Sequence, residues 1–223
     1  MFTEKTTDNL NTKIKTPKTD SFSSQIASDC ELGFNLLNDV GPVVAIYGSS
    51  RLGADNPYYQ MTQELAYQLS EKGFAVMSGG GPGIMEAANL GAYKGQSSSI
   101  GVHVQLPSEK NPNEHLDISM QFQSYFPRKV MFAHSATAVI AMPGGFGTLD
   151  EVFEILTMVQ QSKASPIPVI FVGRDFWSGL LEWIGDKLLS LKVITKSELE
   201  LIQLVDSLDE VLDKIGCIEP ELK

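Results

Sequence analysis

Residues 143–151, Pro-Gly-Gly-Phe-Gly-Thr-Leu-Asp-Glu, have the composition of a ligand-binding turn that ends in a carboxylate. The apolar residues 138–141 before it predict a buried strand, and the apolar spacing of residues 152–159 predicts a helix. A helix that begins in such a turn offers backbone N–H groups and the positive end of its dipole to an anion. An anion site beside the carboxylate of Glu151 favours nucleotide chemistry. The ligand-contacting candidates in this turn are Gly144, Gly145, Phe146, Gly147 and Thr148.

Two other turns follow predicted strands in the same way. Residues 78–83, Ser-Gly-Gly-Gly-Pro-Gly, come after a strand predicted at 74–77, and a helix is expected to begin near Gly83. Residues 48–51, Gly-Ser-Ser-Arg, come after a strand predicted at 43–47. Ligands of open α/β sheets bind outside the carboxyl ends of the strands, so parallel strands would bring all three turns to one edge. The candidates here are Gly48, Ser49, Gly79, Gly80 and Gly81, and either glycine-rich turn suits the anion.

Glu151 has a second interpretation, as part of a helix cap. In a capping box, a Ser or Thr caps the helix and a Glu three residues later returns the hydrogen bond, and Thr148 and Glu151 have this spacing. Ser207 and Glu210 have the same spacing without a glycine-rich turn before them, so we expect them to form only a cap. Both interpretations of Glu151 fit the local pattern. The glycine-rich turn before Thr148 favours the catalytic interpretation, because a helix cap needs no such turn.

Arg128 and Lys129 form a second group of candidate charges. They follow a strand predicted at 121–125 and lie at the start of a helix predicted at 126–135. Such a pair is most often solvated on the surface. Cations at a helix N-terminus oppose the helix dipole, however, so their placement needs another reason. An anionic ligand would supply one, because the guanidinium offers a planar fork to phosphate or ribose.

The elements that position these residues alternate between strand and helix. A helix capped by Asp55 or Asn56 is expected to end by Gly73, and residues 105–119 are expected to form a polar loop. Further strands are predicted at 99–104, 137–142, 168–172 and 201–205, and further helices at 176–191 and 207–215. This alternation predicts a single α/β domain with a Rossmann-like, doubly wound parallel sheet and helices on both faces.

The length of 223 residues suits one domain. We expect residues 1–20 to be a disordered tail, residues 21–40 a helical extension, and residues 41–217 the Rossmann-like nucleotide-binding domain. Hydrophobic residues make up 43% of the chain, enough for a sizeable core, yet neither a transmembrane helix nor a secretory signal is expected. The two cysteines lie at opposite ends of the chain and suit a reducing cytoplasm.

The charge and the missing motifs exclude several classes of function. A net charge of −10 disfavours a nucleic acid polymer as partner, because binding its phosphates needs a surplus of Lys and Arg. The three histidines are scattered and no Cys/His cluster has metal-ligand spacing, so no metal site is expected. Neither glycine-rich turn continues into the Lys-Ser or Lys-Thr of a Walker A loop, and the dinucleotide fingerprint and the Gly-x-Ser-x-Gly elbow are absent.

Residues 78–85, the Arg128–Lys129 pair and residues 143–151 together resemble the LONELY GUY family, nucleoside 5′-monophosphate phosphoribohydrolases that are often labelled lysine decarboxylases. The similarity covers residues 40–215, and Pro-Gly-Gly-x-Gly-Thr-x-x-Glu is specific to that superfamily. Gly-Pro-Gly-Ile-Met-Glu at 81–86 departs from the plant-type pattern and, with the N-terminal extension, is similar to the longer bacterial branch. No lysine lies in a recognisable pyridoxal phosphate context, so the decarboxylase label has no support.

The resemblance implies an activity and roles for individual residues. It implies a dimer or larger assembly without a cofactor or a metal, which cleaves AMP or N6-substituted (cytokinin) AMP into the free base and ribose 5-phosphate. Arg128 and Glu151 match the catalytic positions of the family. The nucleotide-binding positions are matched by Lys129, Gly145, Gly147, Thr148 and Thr157. We expect Arg128 to position the ribose or phosphate and to hold Glu151 ionised. Apolar helix surfaces near Phe132 and Phe153 are consistent with such an assembly, and Arg128 or Met131 is expected to lie near the border with the neighbouring subunit.

Two alternatives without catalysis remain open. Molybdenum-cofactor carrier proteins of the same superfamily share the fold and the glycine-rich turns but bind their ligand without cleaving it. A regulatory nucleotide sensor would bind AMP without turnover. The presence of both Arg128 and Glu151 favours the hydrolase.

Overall fold

The computed structural model describes residues 21–105, 111–161 and 167–216, and the predicted tail at 1–20 lies outside them. The strands are β1 (Val43–Tyr47), β2 (Ala75–Ser78), β3 (Ser99–Val104), β4 (Ile118–Phe122), β5 (Ala136–Ala141), β6 (Val169–Val172) and β7 (Ile202–Val205). The helices are α1 (Phe22–Leu37), α2 (Pro57–Glu71), α3 (Ile84–Lys94), α4 (Tyr125–Ser135), α5 (Phe146–Gln160), α6 (Arg174–Trp183), α7 (Lys196–Leu199) and α8 (Leu208–Ile215). A π-helical turn, Ile184–Leu189, continues α6.

The seven strands form one sheet in the order β4-β3-β2-β1-β5-β6-β7, and every neighbouring pair is parallel. The chain builds outward from β1 to β4 and then returns to place β5 on the other side of β1. The order therefore reverses between β1 and β5, and ligands of such sheets bind in the crevice at this switch point. The predicted α/β class and doubly wound parallel sheet are confirmed.

Both faces of the sheet are covered, as the alternation of β1 illustrates. Val43, Ala45 and Tyr47 belong to the core cluster shared with α1, α4, α5 and α6. Val44 and Ile46 belong to the cluster on the opposite face, shared with α2, α3 and α8. Successive strand residues point to opposite faces, so a strand covered on both sides must be apolar at every position. The continuous apolar run at 43–47 therefore predicts this strand well.

Two predicted helix caps are confirmed. Asn56 caps α2, its side-chain oxygen accepting the N–H of Tyr58 at 2.9 Å, and Pro57 is the first residue of the helix. Ser207 and Glu210 form a complete capping box at the start of α8, with both reciprocal hydrogen bonds present. Side-chain oxygens at these positions accept hydrogen bonds from N–H groups that have no partner within the helix.

Two predicted elements are displaced. The strand predicted at 121–125 is β4, Ile118–Phe122, because Ile118, Met120 and Phe122 alternate and pair with β3 from Ile100↔Ile118 onward. The polar loop predicted at 105–119 therefore ends earlier, and residues 106–110 of it lie outside the described residues. The helix predicted at 176–191 is α6 followed by the π-helical turn, which ends at Leu189.

Candidate active site

The three turns after β1, β2 and β5 meet at one edge of the sheet, as the parallel strands require. The N–H of Ser49 donates to the carbonyl of Pro143 at 3.0 Å, and the N–H of Ile84 donates to the carbonyl of Ser49 at 3.0 Å. Gly48 lies against the side chain of Ile84, where a Cβ would overlap it. The turn after β1 thus links the two glycine-rich turns to each other.

Arg128 and Glu151 form a largely buried ion pair between these turns. Nη2 of Arg128, on α4, donates to Oε1 of Glu151, on α5, at 2.6 Å, and their side chains are 11% and 15% exposed. The guanidinium lies 5.8 Å from the ring centroids of Tyr125 and Phe132. A Cβ on Gly79 would lie 2.6 Å from Nη2, so this glycine leaves room for the arginine. The fold brings the two predicted catalytic residues together.

Glu151 is not part of a capping box. Helix α5 begins at Phe146 with Gly145 as N-cap, and no side chain caps it. Thr148 is therefore already inside the helix, and its side chain packs over Gly144, where a Cβ would overlap it. The capping interpretation of Glu151 is wrong, because the helix starts earlier than the Thr-x-x-Glu spacing implies. The carboxylate bonds to Arg128 instead.

Burial raises the pKa of Glu151 above its ordinary value. The charge of Arg128 lowers this pKa and that of Asp150 raises it, but the loss of hydration outweighs the arginine. Arg128 therefore favours the ionised form of Glu151, as expected, but only partly offsets the rise in pKa that burial causes. A carboxyl group whose pKa is raised beside a fixed cation is typical of acid–base sites.

The N-terminus of α5 is open to solvent. Gly145, Phe146 and Gly147 are exposed, Phe146 to 92%. The first hydrogen bond of the helix runs from the N–H of Leu149 to the carbonyl of Gly145, at 3.0 Å. A Cβ on Gly145 or Gly147 would meet nothing within 4 Å, so packing does not require glycine at either position. Uncapped N–H groups at a helix N-terminus suit an anion.

Lys129 lies beside the pair but is engaged by other carboxylates. Its Nζ is 2.9 Å from Asp150 and 3.6 Å from Glu154. Burial lowers the pKa of Lys129, but hydrogen bonds and charges of the two carboxylates outweigh this effect and raise it. Lys129 is therefore a cation at the edge of the site, and its binding to a nucleotide remains a prediction.

Thr157 is not brought to the turns. It is exposed on α5, six residues beyond Glu151, which places it about 9 Å further along the helix axis. Its hydroxyl donates to the carbonyl of Phe153 at 2.7 Å. This arrangement gives no support to the prediction that Thr157 binds the nucleotide.

Two buried polar residues near the pair were not selected from the sequence as site residues. The Tyr47 hydroxyl is buried with no hydrogen-bond partner among the described residues, and burial, then the charge of Glu151, raises its pKa. His103 is 6% exposed, and burial, then the charge of Arg128, lowers its pKa to about 4, so its imidazole is neutral. Nε2 of His103 likewise has no partner in the described chain. Their position in the sequence could have identified them, because both residues lie near the carboxyl ends of predicted inner strands.

Other kinds of site are not found in the ranges that the structure describes. No group of three or more His, Cys, Asp or Glu side chains is arranged there to hold a metal ion. No helix within those ranges is both long and apolar enough to cross a membrane.

Comparisons with known proteins identify relatives of the chain. A family sequence model described as "Possible lysine decarboxylase" matches residues 85–215. A protein of Oryza sativa subsp. japonica, named as a probable cytokinin riboside 5′-monophosphate phosphoribohydrolase, is 27% identical over 183 residues, which cover 79% of this chain and 71% of that protein. A cytokinin riboside 5′-monophosphate phosphoribohydrolase of Arabidopsis thaliana is 26% identical over 184 residues, covering 77% of this chain and 84% of that protein.

Solved structures share the fold. The molybdenum cofactor carrier protein of Chlamydomonas reinhardtii has a TM-score of 0.59 at 20% identity, covering 79% of this chain and 97% of that chain. At this identity the likeness extends to the fold alone, since one fold hosts many functions.

Proposed function

The chain belongs to the LONELY GUY family, whose sequence model it matches over more than half its length, and from this premise we propose that it is a nucleoside 5′-monophosphate phosphoribohydrolase. Its substrate is AMP or an N6-substituted AMP, and its products are the free base and ribose 5-phosphate. The observation that carries the proposal is the 2.6 Å contact between Arg128 and Glu151 beside an uncapped helix N-terminus.

Cleavage of the N-glycosidic bond builds positive charge on the ribose, as in glycoside hydrolysis. Glu151 stabilises this charge as the bond between C1′ and the base nitrogen breaks, and its carboxylate accepts a proton from the attacking water. The water oxygen bonds to C1′, while the electron pair of the broken bond leaves with the base. The base takes up a proton from solvent, and Glu151 releases the proton of the attacking water to solvent, so both are restored to their ordinary forms. Arg128 orients the Glu151 carboxylate and supplies a cation to the ribose phosphate. The developing charge is positive, so these steps use no metal ion.

The assay that tests the proposal is incubation of the purified protein with AMP. Adenine and ribose 5-phosphate are expected in equal amounts. Binding of AMP without release of adenine would contradict the hydrolase and favour the nucleotide sensor. A cofactor identified by mass spectrometry of the purified protein, together with no hydrolysis, would favour the carrier.

We propose that the 5′-phosphate of the substrate lies against the backbone N–H groups of residues 145–148. The support for this position is the exposed, uncapped start of the 15-residue helix α5. Backbone N–H groups and the helix dipole act together on an anion there. The acidic charge of the chain does not oppose this, because backbone groups rather than side chains provide the donors.

Replacing Gly147 with Val is expected to weaken AMP binding by about 10–100-fold, the equivalent of one lost hydrogen bond to a charged group. The branched side chain would obstruct the phosphate, while the fold has room for it because a Cβ here meets nothing within 4 Å. Calorimetric titration with AMP measures the effect. Gly179→Val is the matched control, since Gly179 is an exposed glycine of α6 with the same open surroundings. Equal AMP affinity in the Gly147→Val protein and the parent would place the phosphate elsewhere.

We also propose that the protein associates with itself, as its family resemblance implies. Met131 and Phe132, expected near the subunit border, are 0% and 2% exposed, so they pack in this chain's own core. The exposed apolar side chains of α4 are instead Tyr125, Phe126 and Val130, at 46%, 59% and 40%. Phe146 of α5 is exposed beside the site. Light scattering is expected to give the mass of a dimer or a larger assembly. A monomer throughout the micromolar range would contradict this proposal.

A further inference from the structure

Asn113, from the loop that precedes β4, holds the glycine-rich turn after β2. Its backbone N–H and its side-chain amide both donate to the carbonyl of Gly80, each at 2.9 Å. The same amide donates to the carbonyl of Gly81 at 3.1 Å. Asn113 lies 33 positions after Gly80 in the sequence and is not among the candidate site residues discussed above. Two successive carbonyls of the turn therefore point toward one side chain.

A buried network fixes Asn113 and the turn together. The Asn113 amide nitrogen also lies 3.0 Å from Oδ1 of Asn89, so its two hydrogens are shared among three acceptors. The Ser78 hydroxyl lies 2.6 Å from the same Asn89 oxygen. Ser78 in turn accepts the N–H of Gly80 at 2.9 Å, and Asn89 donates to the hydroxyl of Ser99 at 3.0 Å. The side chains of Ser78, Asn89 and Ser99 are fully buried. A buried network with its donors and acceptors paired specifies one arrangement.

His103 closes the other side of the turn. A Cβ on Gly80 would overlap the His103 ring, and the φ of Gly80 is +70°, a conformation that glycine adopts easily. His103 is neutral because of its lowered pKa, so it adds no charge beside Arg128. Asn113 thus holds the carbonyl of the Gly80–Gly81 peptide, and the His103 ring packs against Gly80. Together they leave this peptide little room to rotate.

The orientation of this peptide decides where one N–H points. In a planar trans peptide the C=O and the following N–H point in opposite directions. Because the carbonyl of Gly80 faces Asn113, the N–H of Gly81 faces away from it. No hydrogen bond from this N–H is formed within the described ranges, and Gly81 is partly exposed while Gly79 and Gly80 are buried. A Cβ on Gly79, two residues earlier, would lie 2.6 Å from Nη2 of Arg128, so the turn that carries this donor lies beside the ion pair.

We propose that Asn113 is a positioning residue that presents the N–H of Gly81 to an oxygen of the substrate's ribose 5-phosphate half. This inference rests on the proposed function for the identity of the ligand. It assigns the turn after β2 a hydrogen bond to the sugar or its phosphate, beside the phosphate site at the start of α5. A loop outside the two glycine-rich turns would then set the affinity for the nucleotide.

The variants Asn113→Ala and Asn113→Asp test this role, with Glu114→Ala as control because Glu114 is exposed in the same loop. Asn113→Ala is expected to raise the KM for AMP about 10–100-fold with a smaller change in kcat, as the loss of one hydrogen bond to a charged ligand predicts. The inhibition constant of ribose 5-phosphate is expected to rise by the same factor. Asn113→Asp should have the larger effect, since a carboxylate of the same shape repels the carbonyls of Gly80 and Gly81.

A role limited to packing gives a different pattern. Asn113→Asp would then resemble the parent, and Asn113→Ala would lower the unfolding temperature and the amount of active protein without raising KM. Either result overturns the proposal. Adenine release by the parent with an unchanged KM in both variants would overturn this inference alone and leave the proposed hydrolase standing.

A measurement on the parent protein covers the case in which a variant fails to fold. The ¹⁵N amide signal of Gly81 is expected to shift on titration with ribose 5-phosphate. A shift with inorganic phosphate as well assigns the contact to the phosphate, and a shift with ribose 5-phosphate alone assigns it to the sugar. No shift at saturation overturns the proposal. A shift in a protein that releases no adenine from AMP would overturn the hydrolase and retain the binding contact.

Discussion

Replacing Glu151 with Gln is expected to slow adenine release from AMP by about 10²–10³-fold, while the affinity for AMP changes less. The amide carries no charge to stabilise the positive ribose and does not accept a proton from the attacking water. The substitution preserves the size of a side chain that is only 15% exposed, so the fold is retained. Steady-state rates of adenine release, with the dissociation constant of AMP measured separately, test this result.

The pH dependence of the parent should report the same residue. The carboxylate must be ionised to act, so kcat/KM falls as decreasing pH protonates Glu151. Burial raises the pKa of Glu151, so this fall is expected above the ordinary pKa of a glutamate, about 4.3. The Glu151→Gln protein is expected to lose this acid limb from its residual activity.

Glu210→Gln is the matched control, because Glu210 has the same local spacing after Ser207 and forms a true capping box. Glu210→Gln is expected to affect the stability of α8 and leave adenine release unchanged. Glu151→Gln is expected to do the reverse. Full activity of a folded Glu151→Gln protein would remove the catalytic role from Glu151.

Replacing Arg128 with Met is expected to slow adenine release by at least about 10²-fold and to move the acid limb to higher pH. Methionine fills much of the arginine's space without its charge. The Arg128 cation lowers the pKa of Glu151, so its removal leaves burial unopposed and raises that pKa further. A pH series of kcat/KM for the parent and the variant measures the direction and size of the movement.

The stability of Arg128→Met separates the structural from the catalytic contribution of the pair. Leaving the Glu151 carboxylate without its partner is expected to cost up to about 3–5 kcal/mol in the free energy of unfolding, the range for a fully buried pair. The double variant Arg128→Met with Glu151→Gln has no unpaired charge, so it is expected to regain stability without regaining activity. Thermal unfolding and adenine release measure the two quantities. An Arg128→Met protein with the rate and pH profile of the parent would contradict a catalytic role for Arg128.

The order of elements was predictable because it depends on short-range patterns. Continuous apolar runs predicted β1 and β5 to within one residue at each end, and Asn56 before Pro57 predicted the start of α2. The start of β4 was predicted too late for a related reason. Ile118 and Met120 alternate with polar residues in a stretch that is otherwise polar, so the local pattern there resembles a loop. Parallel strands then bring the turns to one edge, so the approximate place of the candidate site also followed from the sequence.

By itself, the sequence determined the alternation of strands and helices, the glycine-rich turns and the candidate pair Arg128 and Glu151. Only the tertiary structure decided which of two identical Ser/Thr-x-x-Glu spacings is a cap, because that depends on where each helix begins. It also decided that Arg128 bonds to Glu151 at 2.6 Å and that Asn113 orients the Gly80–Gly81 peptide. Periodicity and capping act over a few residues, whereas contacts between residues 23 or 33 positions apart depend on the order in which strands pair.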